Sequence, residues 1–175
     1  MAADIYEAPS YKEPAVYTRT GGGVIVRDAV VDLDDLVVAS GGSAKPLELN
    51  DRIKFFKLPP DVKLKYARVD AEDLDSATSL TWSLRAYNGT TAKYFFVDNT
   101  IGQSQGFCTT DDASATGVQD AFDTNSALGY VVPDDNYFIE LICTAAPAGD
   151  GGGDGIRVVV EYESSLESGE GAFRS

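Results

Sequence analysis

Apolar and polar positions alternate with a period of two along most of the chain. Leu80, Trp82, Leu84 and Ala86 alternate with Thr81, Ser83, Arg85 and Tyr87, the pattern of a strand that turns one face to a core. Asn88-Gly89 then follows as a turn signal, because both residues tolerate the positive φ that tight hairpins require. Ile53 and Phe55 alternate with Arg52 and Lys54, and Val62, Leu64 and Tyr66 with Lys63 and Lys65, joined through Leu58-Pro59-Pro60-Asp61. Further strands are predicted at Lys93 to Asp98, Leu128 to Val132, Tyr137 to Thr144 and Ile156 to Tyr162, with one more within Val30 to Ala39. About eight short strands separated by turn residues predict an all-β fold, a jelly-roll-like antiparallel β-sandwich. A helical period survives in Ala113 to Phe122, where Val118, Ala121 and Phe122 fall at i, i+3 and i+4, enough for one short turn.

The two ends break the alternation. Residues 1–23 place Tyr6, Pro9, Tyr11, Pro14 and Tyr17 ahead of Gly21-Gly22-Gly23. Prolines stiffen the segment, the glycines make a hinge, and the tyrosines offer contact area with a polar tip. The segment reads either as an extended arm that folds onto a partner or as a frayed terminus. Ser164 to Ser175 carries no period. The expected organisation is an N-terminal arm over 1–23, a sandwich over 24–163 and a flexible C-terminal tail over 164–175. The longest apolar runs, Leu36 to Ala39 and Tyr94 to Val97, are four residues each, against about 18 for a membrane-spanning helix. The N-terminus has neither a basic start nor an apolar stretch, so nothing there reads as a secretory signal and cytosolic synthesis is the default. Two cysteines, Cys108 and Cys143, are too few for a disulfide scaffold and are expected to be buried, inert thiols.

Charge narrows the partners. With 28 acidic and 14 basic residues and no histidine, the chain carries a formal −14, which repels nucleic-acid phosphates and anionic lipid. Neither nucleic acid nor membrane is expected as a partner. The charge is unevenly spread: Arg52 to Arg68 holds six basic residues against Asp61 alone, whereas no Lys or Arg lies between Lys93 and Arg157. Arg52, Lys54, Lys63 and Lys65 therefore read either as a solvated face or as a docking surface for an acidic partner.

Little supports catalysis. Gly102-Gln103-Ser104-Gln105-Gly106 matches the nucleophile-elbow pattern, but a chain without histidine lacks the base such a serine needs. The same absence removes the commonest metal ligand and general base. A carboxylate pair at glycosidase spacing arises by chance among so many acids and is uninformative. Asp150-Gly151-Gly152-Gly153-Asp154-Gly155 lacks the ligand order of a calcium loop and reads as a glycine-rich connection between strands. Asn88-Gly89-Thr90 fits a glycosylation acceptor but serves as a hairpin turn, and Trp82 is expected in the core rather than as a sugar platform. No enzyme activity, metal or cofactor is expected.

Leu49-Asn50-Asp51-Arg52-Ile53-Lys54-Phe55-Phe56-Lys57-Leu58-Pro59 and Lys65 to Asp75, extended by Ser79 to Asn88 and Gly155 to Tyr162, together resemble a pattern of tailed-phage virion proteins. The similarity covers roughly residues 47–162 with the arm motif Pro14-Ala15-Val16-Tyr17-Thr18, bounded by the strand pattern. The family is that of small β-sandwich head decoration, or cement, proteins encoded beside the major capsid protein. The resemblance implies a non-enzymatic protein on the outer capsid surface of the virion, made in the host cytoplasm. Its partner would be the major capsid protein, and copies would form homo-oligomers at symmetry axes, a trimer before a dimer. Tyr6, Tyr11, Tyr17, Arg52, Lys54, Lys63 and Lys65 are the candidate contacts to capsid or a neighbouring copy. The alternative is a carbohydrate- or receptor-binding β-module of a virion, which requires an exposed aromatic platform; the acidic stretch Asp98 to Asp154 would suit such an attachment role.

Overall fold

The computed structural model describes residues 4–15, 23–36, 48–103, 106–109, 127–149 and 151–164. They form nine strands: β1 (Ile5–Glu7), β2 (Val24–Asp32), β3 (Arg52–Lys57), β4 (Val62–Ala71), β5 (Thr81–Tyr87), β6 (Ala92–Asn99), β7 (Gly106–Thr109), β8 (Phe138–Ala145) and β9 (Gly155–Ser164). A five-stranded sheet has the order β1-β3-β8-β5-β6, and a four-stranded sheet the order β2-β9-β4-β7. From β2 onward the chain changes sheet at every step except one, the β5–β6 hairpin. Two four-stranded sheets of orders β2-β9-β4-β7 and β3-β8-β5-β6 are the jelly-roll arrangement of paired Greek keys, so the expected all-β sandwich is present. The parallel pairing of β1 with β3 is added to an otherwise antiparallel scheme.

The alternating positions fill the space between the sheets. Ile53, Phe56, Trp82, Leu84, Ile139 and Leu141 from one sheet meet Val31, Leu64, Val69, Val158, Val160 and Tyr162 from the other, all in one buried cluster. At about 25 cal/mol per Å² of apolar area removed from water, this layer is the main stabilising contribution. The β5–β6 hairpin closes as its sequence predicts. Asn88 Oδ1 accepts from the Thr90 and Thr91 amides at 3.0 and 2.7 Å, and Gly89 adopts φ +95°.

A buried carboxylate organises the connection from β4 to β5. Asp75 is fully enclosed and accepts from the amides of Ala77, Ser79, Leu80 and Gly149 at 2.9, 2.6, 2.7 and 3.1 Å, and from the Ser79 hydroxyl. Burial alone raises its pKa, but the donors from Ala77, Leu80 and Ser79 outweigh it and hold the carboxyl well below the usual range.

Several elements differ from the sequence reading. The strand expected within Val30 to Ala39 begins earlier, at Val24, and ends at Asp32 in a short 3₁₀ turn, Leu33–Asp35. The Asp32 carboxylate ends it by accepting from the Asp34 amide at 2.9 Å. Leu128 to Val132 is not a full strand; its backbone bonds β4 near Val62 and Leu64 with one bridge, Lys63 to Val131. Residues 5–7, read as part of an aperiodic arm, are a sheet strand, and β7 occupies ground read as loop. The helical turn expected at 113–122 and the tail beyond Ser164 lie outside the described residues.

Candidate interaction surfaces

The basic stretch does not fold into one patch. β3 belongs to the five-stranded sheet and β4 to the four-stranded one, because Leu58-Pro59-Pro60-Asp61, with Asp61 at φ +57°, carries the chain across the sandwich instead of closing a hairpin. Arg52 and Lys54 therefore lie on one outer face, and Lys63 and Lys65 on the other. On the first face the register sets Glu7 beside Lys54, Lys54 beside Glu140, Glu140 beside Arg85 and Arg85 beside Tyr94. Charge alternates along this row, so each cation has an acidic neighbour within the chain.

The centre of the row is buried. Arg85 and Glu140 are 8% and 1% exposed; Arg85 Nε donates to Glu140 Oε1 at 2.9 Å and its Nη1 to the Tyr94 hydroxyl at 3.1 Å. The guanidinium also lies 4.1 Å over the Tyr87 ring. Lys54 Nζ is 4.0 Å from Glu7 Oε1 and sits over the rings of Tyr11 and Phe138. Arg52 is half-buried, and its Nε has no hydrogen-bond partner among the described residues. On the opposite face Lys63 is half-buried beside Val131, and exposed Lys65 pairs with Glu163 at 3.0 Å. Arg68 and Arg157 pair with Asp70 and Asp28, and the bond from Arg157 lowers the Asp28 pKa.

The tyrosines of the N-terminal segment have different fates. Tyr6 lies opposite Ile53 in the parallel β1–β3 pair and is 0% exposed, so its ring has no surface left for a partner. Burial, reinforced by Asp51, pushes its pKa up to about 12. Tyr11 packs edge-on to Phe138, with Lys54 and Lys57 over its ring. The Ser10 hydroxyl donates to the Phe55 carbonyl at 2.6 Å, and the Ala8 amide to the Lys54 carbonyl. Residues 4–11 are thus laid along this chain's own five-stranded sheet, and Glu13 and the Pro14 carbonyl then reach Arg27 of β2 at 3.5 and 3.4 Å. Tyr17 lies outside the described residues.

The remaining motifs resolve into structure. Trp82 is 0% exposed, which removes the aromatic platform it would have offered a sugar. Ser104 lies outside the described residues, and Gly102, at φ +88°, belongs to the turn from β6 toward β7, where its carbonyl accepts from the Leu74 and Asp75 amides. The β8–β9 connection needs its glycines for close approach: a Cβ at Gly151 would overlap the Asp73 carbonyl, and one at Gly153 would lie 2.7 Å from it. The carboxylates of Asp32, Asp34 and Asp154 lie within 4.8 Å of one another at the end of β2, a concentration of negative charge at the surface.

The sequence reading caught only the end of β2 and missed its outward row. Its outward side chains are Val24, Val26, Asp28, Val30 and Asp32, and the three valines are 54%, 56% and 68% exposed. The signal was present in Val24-Ile25-Val26, where both alternating positions are apolar and one set must face outward.

No protein-family model matches the chain, and no curated protein matches it. Among solved structures, it is similar to a chain of the capsid of Ralstonia phage GP4, with TM-score 0.65 and 17% identity over 95% of this chain and 99% of that one. It is also similar to a chain of the cyanophage Pam1 capsid asymmetric unit, with TM-score 0.57 and 15% identity over 89% and 95%. At these identities the likeness establishes the shared fold.

Proposed function

We propose that this protein is a non-enzymatic structural component of a tailed-phage virion that binds the outer capsid surface, with the major capsid protein as its partner, and cements the lattice. The observation that carries the reading is the likeness, over nearly the full length of both chains, to a chain of a phage capsid. The sequence resemblance to head decoration proteins, drawn from separate segments, points the same way. Chemistry agrees: a chain without histidine, whose buried ionic pair sits in a sheet row and whose tryptophan sits in the core, is built as a scaffold. Homo-oligomers, a trimer before a dimer, belong to the same reading, and sedimentation equilibrium measures them directly.

Co-sedimentation with tailed-phage heads that lack the protein tests the role. Saturable binding at a fixed ratio to major capsid protein is expected. Absence of binding to both mature and immature heads would overturn it.

A further inference from the structure

β2 is an edge strand. Its neighbour in the sheet is β9, and among the described residues the backbone of residues 24–32 makes no backbone–backbone bond to any other element; Glu13 and the Pro14 carbonyl reach it only through the Arg27 side chain, at 3.5 and 3.4 Å. Nine residues pair with β9 in continuous register without a bulge, and the strand contains neither lysine nor proline. Lysine, proline and bulges are among the devices by which soluble proteins keep long edges from recruiting another strand; the cation β2 does carry, the inward Arg27, is held by Glu13 and the Pro14 carbonyl. Here the edge also carries Val24, Val26 and Val30, exposed by 54%, 56% and 68%. On the side of Val30 away from this edge, a groove of about 260 Å³ runs over β9 and β4, lined by Ala71, Ile156, Asp70, Glu72 and Arg157.

Charge selects the occupant. The outward row of β2 reads Val24, Val26, Asp28, Val30, Asp32, and it ends at the carboxylate cluster of Asp32, Asp34 and Asp154. In the register that pairs all nine residues of both copies, antiparallel about Asp28, a second copy would set Asp28 against Asp28 and Val24 against Asp32, between molecules of net charge −14 each. Like charges directly opposite destabilise a strand pair. An extended segment with apolar side chains at alternate positions and cations toward its end meets the same row with complementary chemistry. Backbone hydrogen bonds then supply affinity and the alternating side chains supply selectivity, as in other strand additions.

We propose that the outer edge of β2 takes up, as an added strand, an extended basic segment of a different polypeptide. The proposal rests on the capsid reading for the source of that segment, which there is the shell protein. The probe is a nine-residue peptide alternating valine with threonine and ending in two lysines, compared with a counterpart ending in two glutamates. Fluorescence anisotropy on the full chain is expected to show the lysine peptide binding more tightly, on the order of tenfold, with slowed amide exchange at residues 24–32. Val26→Lys with Val30→Lys places guards on exposed positions, leaves the melting curve intact, and weakens binding by a similar factor. Equal binding of the two peptides, protection away from β2, or unchanged binding by the double variant would overturn the proposal. So would a wild-type chain that self-associates and becomes monomeric in the double variant, which would make a second copy the occupant. Co-sedimentation with heads separates the two readings. Wild-type protein that ignores heads yet binds the peptide at β2 removes the capsid role alone, and a double variant that binds heads as well as wild type removes the edge proposal alone.

Discussion

Asp75 shows how one side chain fixes a connection. Five donors converge on its two oxygens, and an amide in its place would turn an NH₂ group toward some of them. Asp75→Asn is expected to cost about 3 kcal/mol, as befits a buried charged acceptor with several donors left unmatched, and to lower Tm by roughly 6–12 °C. Because the folded pKa is depressed, the stabilisation is fully present above the unfolded value of about 3.9. It declines as the pH falls below that value and is lost as pH falls through the folded pKa. Thermal melts should therefore show the gap between wild type and variant at pH 7 narrowing below about pH 4. Cys143 is a second residue whose chemistry is set by enclosure: it is 0% exposed, and burial, with Asp51 nearby, pushes its pKa up to about 12. With almost no thiolate at pH 8 and no access, it should stay unmodified by iodoacetamide in the native protein and react fully in denaturant, as peptide mapping by mass spectrometry would read.

At the scale of the element, the five-stranded sheet depends on matched pairs that cross it. Arg85→Ala leaves the Glu140 carboxylate buried without its main partner and is expected to cost about 3–5 kcal/mol. Arg85→Met combined with Glu140→Leu removes both charges and should recover most of that loss in urea unfolding; a double variant as unstable as the single one would show that the pair's hydrogen bonds, not an unpaired charge, set the cost. β1 is held by Tyr6, the Ala8 amide and the Ser10 hydroxyl. Removing Met1 to Gly23 therefore deletes a strand and a core ring, so loss of capsid binding in that truncation would not by itself identify a gripping arm. Tyr6→Ala should destabilise by about 3 kcal/mol, near the lower end for a large buried ring. The legibility of these elements follows their periods. β5 and the β5–β6 turn were readable because one face is apolar and the turn residues are specific. β1 was not, because three residues beside prolines carry no period, and its parallel pairing with residue 52 onward is a long-range choice. That β3 and β4 join different sheets was unreadable for a related reason: alternation shows which side chains face a core but not which of two sheets a strand joins.

The whole molecule redistributes charge that looks segregated along the chain. Read linearly, Arg52 to Arg68 is a basic block, but folding divides it between opposite faces and sets its members beside Glu7, Glu140, Asp70 and Glu163. The candidate basic site was legible as composition and illegible as a surface, since sheet assignment decides which charges become neighbours. The valine row of β2 was legible in principle, yet its exposure follows from β2 being at an edge, which is a property of topology. Two opposite electrostatic expectations for docking can now be separated. If the basic residues grip an acidic capsid, Lys63→Gln with Lys65→Gln should weaken head binding and flatten its dependence on salt. If the acidic end of β2 meets cations of the partner, Asp32→Asn with Asp34→Asn should do so instead, while asparagine at position 32 still caps the turn that follows β2. The second outcome is expected, because the charge of Lys65 is already offset by Glu163 at 3.0 Å within the chain, whereas Asp32, Asp34 and Asp154 concentrate negative charge at the end of β2. Co-sedimentation from about 0.05 to 1 M salt, over which the screening length falls several-fold, should show the asparagine variant binding several-fold more weakly at the low end and converging with wild type at the high end. The glutamine variant should stay within about twofold of wild type throughout; the reverse pattern would return the contact to the basic strands and leave β2 without an electrostatic role.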